Sequence, residues 1–500
     1  MNFKNYISIL ILITFVFFAQ VLVVAQGKKD MNTKPYPYGN PVIRHMYTAD
    51  AAPKVMPDGR LWMVTSVDHK DGGGYGTMHA IHAYSTSDMQ TWIDHGEILG
   101  IDDFDVPEGE DWAIWAPDIV YRNGTYYLYF PMRNILANGT IDRYVVVAES
   151  NRMDKRFTIT NPRMKGVEMA GLDPSVFIDD DGQAYFYWNQ ALMGLLKDDM
   201  REIDGKMFKL DYGSNNFMEA AWMHKRNGIY YFNYHTKYDG KLDINNPDNP
   251  SRPKSELHYS TGNSPRGPLK HKGVINYELG TNLKNGPKLA GYDFAPWRMT
   301  QSNHGAVVEY HGQEYFFYHT SALSSWRQDE FKGIGTWTQR SVCVDYLNYN
   351  SDGTAIPVQQ TIEGVAKINI SQPFAIDLAQ KKAKPSKQIG FENNAFTVTG
   401  EGILSYKKVK LGSGYYYFEA DIEKSVENAR IEIRKGSPNG LLMGTLLINN
   451  ESVLKNYGKS QTFLREANGT HDIYLIIKTN NNETLRFSNL RFFAGSPKQI

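Results

Sequence analysis

The sequence predicts an all-β protein, a five-bladed β-propeller followed by a β-sandwich. Three observations lead to this prediction: a hairpin motif that occurs five times, short strands separated by turn residues up to about residue 365, and a different alternating pattern after it. Short strands with regular turn punctuation and scarcely any helical period are typical of all-β folds. All nine tryptophans fall between Trp62 and Trp337, so the two parts also differ in composition.

The repeated motif is Asp, Asn or His before a glycine, then two residues and an aromatic. An Asn-Gly or Asp-Gly pair between apolar runs is the strongest short-range hairpin signal, because glycine tolerates the positive φ of a tight turn. The motifs are 46 to 84 residues apart, too far for single sandwich strands but enough for the four strands of a propeller blade. The acidic run Asp179–Asp181 in the third motif is expected to be a solvated turn. The motif glycines are Gly59, Gly124, Gly182, Gly228 and Gly312.

Residues 1–25 are expected to be a cleaved secretory signal. Lys4 precedes an apolar run that extends from Ile9 to Ala25 and ends in VLVVA, which matches the basic start, apolar core and small final residue of such signals. An uncleaved membrane anchor is the alternative; after cleavage, no membrane span is expected. The single cysteine, Cys343, cannot form an internal disulfide and is expected to be buried. We therefore expect export to the periplasm or the exterior of a Gram-negative bacterium.

The charge balance bears on partners. Lys+Arg and Asp+Glu both number 54, so the formal net charge is zero. That balance gives no electrostatic reason to expect nucleic acid or an anionic membrane surface as a partner.

Composition shifts divide the chain. The polar, Lys-rich residues 26–38 are expected to be a flexible lead, residues 39–365 the propeller, residues 366–386 a linker or edge strand, and residues 387–497 the sandwich. In the last part, stretches such as GYYYFEADIE and HDIYLIIKT alternate apolar and polar residues as half-exposed sandwich strands do.

Acidic residues stand nine positions before three of the five motif glycines. Equal offsets on the first strand of each blade would place these side chains at one height, so that they meet at one mouth of the central channel. Hydrolysis of a glycosidic bond needs an acid for the leaving oxygen and a base that activates water. For each acidic residue alone, a strand start that caps a turn is the alternative. The residues at this offset are Asp50, Asp173 and Glu219, with Trp115 and Asn303, the neighbour of His304, in the other two motifs.

Six stretches, in this order, resemble glycoside hydrolase family 43: YTADAAPKV, WAPDIVYRNGTYYLYF, LDPSVFIDDDG, MEAAWMHKRNGIYYF, NHGAVVEYHGQEYFFYH and RSVCVDYLNYNSDG. The resemblance covers roughly residues 39–365 and implies a five-bladed propeller and an inverting mechanism that requires no cofactor. It implies that Asp50 is the general base and Glu219 the general acid, and that Asp173 orients the acid and raises its pKa.

The same resemblance implies further site residues. Trp115 would line the pocket, Arg340 would contact the sugar, and His304 matches a central histidine often associated with a calcium ion and water. An ordinary inner-channel histidine is the alternative for His304, because calcium prefers oxygen ligands. This chain departs from the family pattern in two places, with Ala-Ala-Pro after Asp50 instead of Pro, and Ala220-Ala221 where Gly-Pro is common. Both departures leave the subfamily and the sugar open.

The C-terminal segment, about 378–497, resembles a family 6 carbohydrate-binding module, which implies a jelly-roll sandwich. GYYYFEADIE, ARIEIRKGSPNGLLMGTL, NGTHDIYLIIK and LRFSNLRFF follow the order of that module. The segment has no tryptophan, so Tyr415–Tyr417 and Tyr457 are the aromatic candidates for a sugar site, and a purely structural sandwich is the alternative.

These observations lead to an exported glycosidase that removes terminal α-L-arabinofuranose from plant polysaccharides or oligosaccharides. Its partners would be arabinose- or xylose-containing glycans, and β-xylosidase and β-galactofuranosidase activities remain open. A retaining sucrose or fructan hydrolase would show Asn-Asp-Pro-Asn and Arg-Asp-Pro, where this chain has ADAAP and Leu172-Asp173-Pro174. A non-catalytic carbohydrate-binding propeller is the non-enzyme alternative, and three carboxylates at one offset argue against it.

Overall fold

The computed structural model describes residues 39–71, 74–167, 169–240, 256–278, 283–284, 302–321, 323–324, 339–424, 426, 428–448, 458–480 and 483–494. The expected signal (1–25) and lead (26–38) lie outside the described residues. Within these ranges, no helix has the length and apolar character needed to cross a membrane.

In the described residues, the main body of the N-terminal part is five antiparallel sheets of three to five strands, each built from strands that follow one another in the chain, as the motif spacing predicts. The first blade contains β1 (Tyr47–Val55), β2 (Leu61–Asp68), β3 (Ala80–Thr86) and β4 (Ile93–Gly100). The second contains β5 (Asp111–Ile114), β6 (Asp118–Arg122), β7 (Thr125–Ile135), β8 (Ile141–Ser150) and β9 (Thr158–Asn161). The third contains β10 (Ser175–Ile178), β11 (Ala184–Trp188), β12 (Leu192–Leu196) and β13 (Ile203–Lys209).

The last two blades contain β14 (Phe217–Arg226), β15 (Ile229–Thr236), β16 (Leu257–Gly262) and β17 (Lys270–Asn276); and β19 (Gly305–Tyr310), β20 (Gln313–Thr320) and β21 (Ser341–Tyr346). Short strands outside the blades are β18 (Leu283–Lys284), β22 (Asn348–Tyr349), β23 (Ala355–Ile356) and β24 (Gln360–Thr361), and 3-10 turns occur at Tyr75–Thr77, Ile101–Asp103, Asn189–Ala191 and Gln380–Lys382.

The inner strands of the five blades surround one axis. β1 contacts β6, β6 contacts β10, β10 contacts β14, β14 contacts β19, and β19 contacts β1, which closes the ring. Each repeated motif is the hairpin between the inner strand and the second strand of its blade, and each motif glycine has a positive φ, between 76° and 87°. The five hairpins therefore lie at one end of the channel, and the starts of the inner strands lie at the other.

The segment before β1 completes the fifth blade. Val42 donates its backbone N–H to Val342 O at 2.9 Å, which extends the sheet beyond β21. The fully buried Asn40 side chain accepts from Val344 N at 2.7 Å and donates to Val344 O at 3.0 Å. The first described residues of the chain are thus tied to the last blade, which closes the propeller.

The C-terminal part is a sandwich of two sheets around an apolar core that includes Leu404, Phe418, Ile431 and Phe487. Strands β25 (Ala375–Asp377) and β26 (Lys384–Pro385) fall within 366–386, so this segment supplies edge strands to both sheets. One sheet contains β25 (Ala375–Asp377), β27 (Ile389–Glu392), β28 (Ala395–Thr399), β30 (Tyr417–Lys424), β33 (Lys459–Phe463) and β35 (Thr484–Phe493); the other contains β26 (Lys384–Pro385), β29 (Glu401–Gly412), β31 (Ala429–Lys435), β32 (Leu441–Ile448) and β34 (Gly469–Lys478).

The sandwich packs against the hairpin end of the propeller and meets every blade. Its contacts are Tyr417 with Val55 and Tyr121, Arg465 with Asp180, Glu466 with Asn227, and Tyr416 with His311. A cavity of about 710 Å³ remains between the two parts, lined by residues of both.

This docking corrects two expectations. Asp179 and Asp180 are buried, 8% and 5% exposed, because Lys225 and Arg465 pair with them; only Asp181 of the acidic run is exposed. Tyr415–Tyr417 are each at most 3% exposed and cannot offer a face to a sugar. Tyr457 lies outside the described residues.

Candidate active site

The three carboxylates at the shared offset are set by irregular backbone. β1 carries a bulge between Ala49 and Ala52, with Asp50 at φ 56°, and Asp173 has φ 58° just before β10. In β14 the pairing shifts on both sides of Glu219, and Ala220 has φ 59°. Bulges re-aim side chains and are common beside active sites. Each carboxylate therefore leaves the regular alternation of its strand.

Asp50 is the most densely contacted of the three. Its Oδ1 accepts from Arg340 Nη1 at 2.8 Å and lies 3.0 Å from His304 Nδ1, and its Oδ2 accepts from Ser66 at 2.8 Å. Burial alone would raise the pKa of Asp50, but Arg340 and the histidines outweigh it and lower the pKa to about 2. Asp50 is therefore ionised at neutral pH.

His304 bridges two of the carboxylates. Its Nδ1 faces Asp50, and its Nε2 lies 3.2 Å from Asp173 Oδ2. Burial alone would lower the pKa of His304. The two carboxylates outweigh burial and raise the pKa to about 9. The imidazolium of His304 therefore lies between Asp50 of the first blade and Asp173 of the third blade, and it links the starts of the two inner strands.

The neighbouring His319 behaves in the opposite way. Asp50 donates its backbone N–H to His319 Nδ1 at 3.3 Å, and His319 Nε2 lies 2.9 Å from Ser302 O. Burial, followed by the charge of Arg340, lowers the pKa of His319 to about 3. The ring is therefore neutral, with its proton on Nε2.

Asp173 and Glu219 come from neighbouring blades and meet through the backbone. Asp173 Oδ2 accepts from Ala220 N at 3.0 Å, so Asp173 anchors the peptide that follows Glu219. Burial raises the pKa of Asp173, and the charges of Glu219 and Asp50 add to that effect. Glu219 Oε1 lies 3.0 Å from Nδ1 of His235, whose side chain is 1% exposed.

Arg340 lies behind Asp50. Asp68, with a fully buried side chain, accepts from Arg340 Nε at 2.9 Å and from Nη2 at 2.8 Å, while Nη1 also donates to Ser302 at 2.8 Å. Arg340 is 1% exposed. The guanidinium is thus held between two carboxylates, and its contact with a sugar stays a prediction.

Trp115 is connected to the cluster through Tyr75. Its Nε1 donates to Tyr75 O at 2.8 Å, and the guanidinium of Arg340 lies 5.3 Å from the centre of the Tyr75 ring. The guanidinium groups of Arg133 and Arg143 lie 5.7 and 5.3 Å from the Trp115 ring. The half-buried Trp115 is thus held in place by these contacts, and its role as a wall of the sugar pocket stays a prediction.

An ion pair links the inner strands of the first and second blades. Lys54 Nζ lies 3.4 Å from Asp118 Oδ1 and 4.1 Å from the centre of the Trp222 ring. Asp118 also accepts from Val176 N at 2.6 Å, which joins the second blade to the third. Asp118 thus has a structural role, and Lys54 and Trp222 also line the cavity between the propeller and the sandwich.

The donor set around His304 does not fit direct binding of calcium. Ligand atoms of Asp50, His304 and His319 lie within 4.8 Å of one another. Calcium takes about six to eight oxygen ligands, whereas two of these three donors are nitrogens and Arg340 already donates to the carboxylate.

Comparison with known proteins agrees with this geometry. Residues 38–355 match glycosyl hydrolases family 43, which is more than half of the chain. The chain belongs to this family. Residues 377–494 match the carbohydrate binding module of family 6. The predicted family, the all-β fold and the glycoside hydrolase activity are confirmed.

Several curated relatives of this family 43 hydrolase cover most of its length. An arabinoxylan arabinofuranohydrolase of Paenibacillus polymyxa is 27% identical over 87% of this chain and 71% of its own. A xylosidase/arabinosidase of Bacteroides ovatus is 30% identical over 64% of this chain and 95% of its own. The structure of a family 43 arabinoxylan arabinofuranohydrolase from Bacillus subtilis, in complex with cellotetraose, aligns with a TM-score of 0.52 at 23% identity, covering 92% of this chain and 98% of that one.

The sequence identified part of this cluster. Asp50, Asp173 and Glu219 lie together, as their common offset predicts, and His304 and Arg340 join them. Their catalytic roles stay predictions. Sequence reasoning missed five residues that contact the cluster from the second strands of their blades or from a loop, namely Ser66, Asp68, Tyr75, His235 and His319.

Proposed function

We propose that this hydrolase removes terminal α-L-arabinofuranose units from arabinose-containing plant glycans with inversion at the anomeric carbon. The observation that carries the proposal is the meeting of carboxylates from three blades at one channel mouth, with His304 between Asp50 and Asp173. Two proteins that resemble this chain support the choice of sugar. One is from Paenibacillus polymyxa and one from Bacillus subtilis, and both are named arabinoxylan arabinofuranohydrolase.

In the proposed reaction Glu219 is the acid and Asp50 the base. Glu219 protonates the glycosidic oxygen as its bond to the anomeric carbon breaks, and Asp50 takes a proton from the water that attacks the opposite face. Asp50 suits the second role because its low pKa keeps it ionised. Asp173 accepts from Ala220 N and so holds the backbone behind Glu219.

Two carboxyl groups and a water supply the acid, the base and the nucleophile. No cofactor is required by this scheme, and we expect full activity after exhaustive treatment with EDTA. Loss of activity that calcium restores would instead support the structural calcium predicted at His304.

The identity of the sugar is tested with matched aryl glycosides. We expect the purified enzyme to cleave 4-nitrophenyl α-L-arabinofuranoside with a kcat/KM at least tenfold above that for the β-D-xyloside and the β-D-galactofuranoside, about 1.4 kcal/mol of discrimination. The wider family resemblance supports both alternatives, since relatives are named xylosidase/arabinosidase and β-D-galactofuranosidase. Preference for either sugar would overturn the arabinofuranose proposal.

The roles of the carboxylates are tested by isosteric variants and by stereochemistry. Asp50→Asn should abolish turnover on both aryl and natural substrates, whereas Glu219→Gln should retain more activity on the aryl glycoside, whose leaving group needs no proton. Proton NMR of the first-formed sugar should show the inverted anomer. A retained anomer, or equal losses for Glu219→Gln on both substrates, would contradict the mechanism.

We also infer export from the basic start and apolar core of residues 1–25. Expression of the full chain in a Gram-negative host should yield a periplasmic or extracellular protein that begins after Ala25. N-terminal sequencing of the fractions is the measurement. A cytoplasmic protein that retains residue 1 would contradict the inference.

A further inference from the structure

The pairing of strands β14 and β15 places a buried histidine opposite the candidate acid. Glu219 and His235 are direct cross-strand partners, with pairing shifts on both sides of Glu219. Nδ1 of His235 lies 3.0 Å from Oε1 of Glu219, and the two side chains are 1% and 12% exposed. His235 is therefore enclosed behind the acid, which alone of the two reaches the mouth.

This contact assigns different work to the two oxygens of Glu219. A general acid carries one proton on two oxygens, and only a proton that faces the substrate can reach the leaving group. When Nδ1–H donates to Oε1, the proton of the acid resides on Oε2. When Nδ1 is unprotonated, it accepts the carboxyl proton at Oε1 and turns that proton away from the substrate.

We propose that His235 is a positioning residue, which donates Nδ1–H to Glu219 Oε1 and so fixes the transferable proton on Oε2. This inference rests on the function proposed above. Among the described residues, the other titratable groups that face Glu219 are Asp173, His304 and Tyr75, which come from the third and fifth blades and from the loop before β3. In contrast to these three groups, His235 belongs to the same sheet as Glu219 and contacts its carboxylate directly.

The test compares His235→Leu, which removes the donor, with His235→Asn, whose amide nitrogen can occupy the place of Nδ1. We expect His235→Leu to lower kcat on an arabinoxylan oligosaccharide about tenfold or more, with KM changed less than about twofold, since one hydrogen bond to a charged group is lost. The loss on 4-nitrophenyl arabinofuranoside should be several-fold smaller, and His235→Asn should recover most of the activity.

The pH–rate profile reports the direction of the hydrogen bond. A donor to Oε1 stabilises the ionised carboxylate, so its removal should move the basic limb of kcat/KM on the oligosaccharide to higher pH. Movement to lower pH would show that His235 accepts from Glu219 and would overturn the proposal. Equal losses on both substrates with an unmoved profile and no recovery in His235→Asn would also overturn it.

Three further measurements separate the proposal from the general effect of losing a buried histidine, from loss of folding and from failure of the proposed function. His224→Leu removes another buried histidine of the same blade, which bonds Tyr349 at the opposite end of β14, and should leave both the profile and the leaving-group dependence unchanged. Nitrogen-15 chemical shifts of the histidines in the wild-type enzyme, with His235 assigned by comparison with His235→Asn, should show that Nδ1 of His235 is protonated. An unprotonated Nδ1 would overturn the proposal even if His235→Leu does not fold. Wild-type enzyme that cleaves no glycoside would instead remove the proposed function itself.

Discussion

At the scale of single residues, the site is built on backbone that L-amino acids seldom adopt. Asp50, Asp173 and Ala220 have φ values of 56°, 58° and 59°, within the left-handed region. Each such residue costs about 1–3 kcal/mol and persists only where the surroundings enforce it. The strain at Ala220 coincides with a departure from the family pattern. Glycine, common after the acid, adopts this conformation without strain, whereas this chain places Ala220 there.

Substitutions at Ala220 test the strained backbone. Ala220→Gly should keep activity and change the free energy of unfolding by less than about 1 kcal/mol, because relief of strain offsets the entropy gained by the unfolded chain. Ala220→Val should lower stability by about 2 kcal/mol or more and reduce kcat, because a β-branched residue at positive φ is an outlier that shifts Glu219. Urea unfolding and kcat on an aryl glycoside are the measurements. Equal stability of the Val and Gly variants would contradict this reading.

The bridge through His304 predicts a pH dependence of stability. Its pKa is raised from 6.5 to about 9 in the folded protein, so its contribution is complete below pH 6.5 and is lost as the pH rises through about 9. Asp50, with its pKa lowered to about 2, contributes above about pH 3.8 and loses that contribution as the pH falls through about 2. The free energy of unfolding should therefore fall between pH 6.5 and 9.

His304→Gln isolates this contribution. The variant should be less stable at neutral pH and should show a flatter decline of the free energy of unfolding between pH 6.5 and 9, because it has no proton to lose there. His45→Gln, at a histidine whose side chain is 58% exposed, should keep the wild-type slope. The same slope in His304→Gln and wild type would contradict an imidazolium at this position.

At the scale of strands and hairpins, the sequence predicts what is local and misses what depends on register. The motif glycines locate the hairpins and, through the common offset, three carboxylates. His235 escapes this reasoning, because straight counting from the turn at Asn227-Gly228 pairs it with Ala220. Because of the bulge at Ala220, His235 pairs with Glu219 instead, and no residue type in the sequence predicts that bulge. Asp180 was misread for a related reason, since its partner Arg465 belongs to the sandwich.

The strand that closes the fifth blade carries a second prediction at this scale. Asn40 is fully buried, and its amide nitrogen also contacts Asp345 Oδ2 at 3.1 Å and Thr361 O at 2.9 Å. Asn40→Ala leaves several buried groups without this partner, so the free energy of unfolding should fall by about 3 kcal/mol. Asn138→Ala, at an exposed turn residue, is the matched control and should change stability by less than about 1 kcal/mol.

The readout for Asn40→Ala is unfolding by urea together with kcat of the folded enzyme. We expect an unchanged kcat, because Asn40 contacts none of the three carboxylates in the described structure. Wild-type stability in this variant would mean that the segment before β1 does not close the propeller.

At the scale of the whole molecule, chemistry and docking occupy opposite ends of one channel. The carboxylates lie where the inner strands begin, and the sandwich covers the hairpins where those strands end. Tyr416, Tyr417 and Phe493 of the sandwich belong to the same apolar cluster as the propeller core. The sandwich is thus continuous with the enzyme's core, and a chain ending near residue 370 should keep all three carboxylates but lose solubility or stability.

Arg465 offers a test of this docking in the full-length protein. Its Nη1 donates to Asp180 Oδ1 at 2.6 Å, its Nη2 donates to Ile178 O at 2.6 Å, and its guanidinium lies 4.6 Å from the centre of the Phe177 ring. Arg465→Ala should lower the free energy of unfolding by about 2 kcal/mol, less than for an isolated buried pair, because Lys225 still pairs with Asp180. The kcat on an aryl glycoside should not change, since Arg465 contacts the third blade at its hairpin end.

A double-mutant cycle with Asp180→Asn gives the coupling between the two parts. We expect the two losses to be non-additive by about 1 kcal/mol, because each single variant already removes their common hydrogen bond. Arg152→Ala, which removes an arginine paired with Asp154 on the propeller surface, serves as the control and should be additive with Asp180→Asn. Strict additivity for Arg465 would mean that the sandwich does not dock through this contact. A fall in kcat at wild-type stability would mean that the sandwich acts on the catalytic mouth from the far end of the channel.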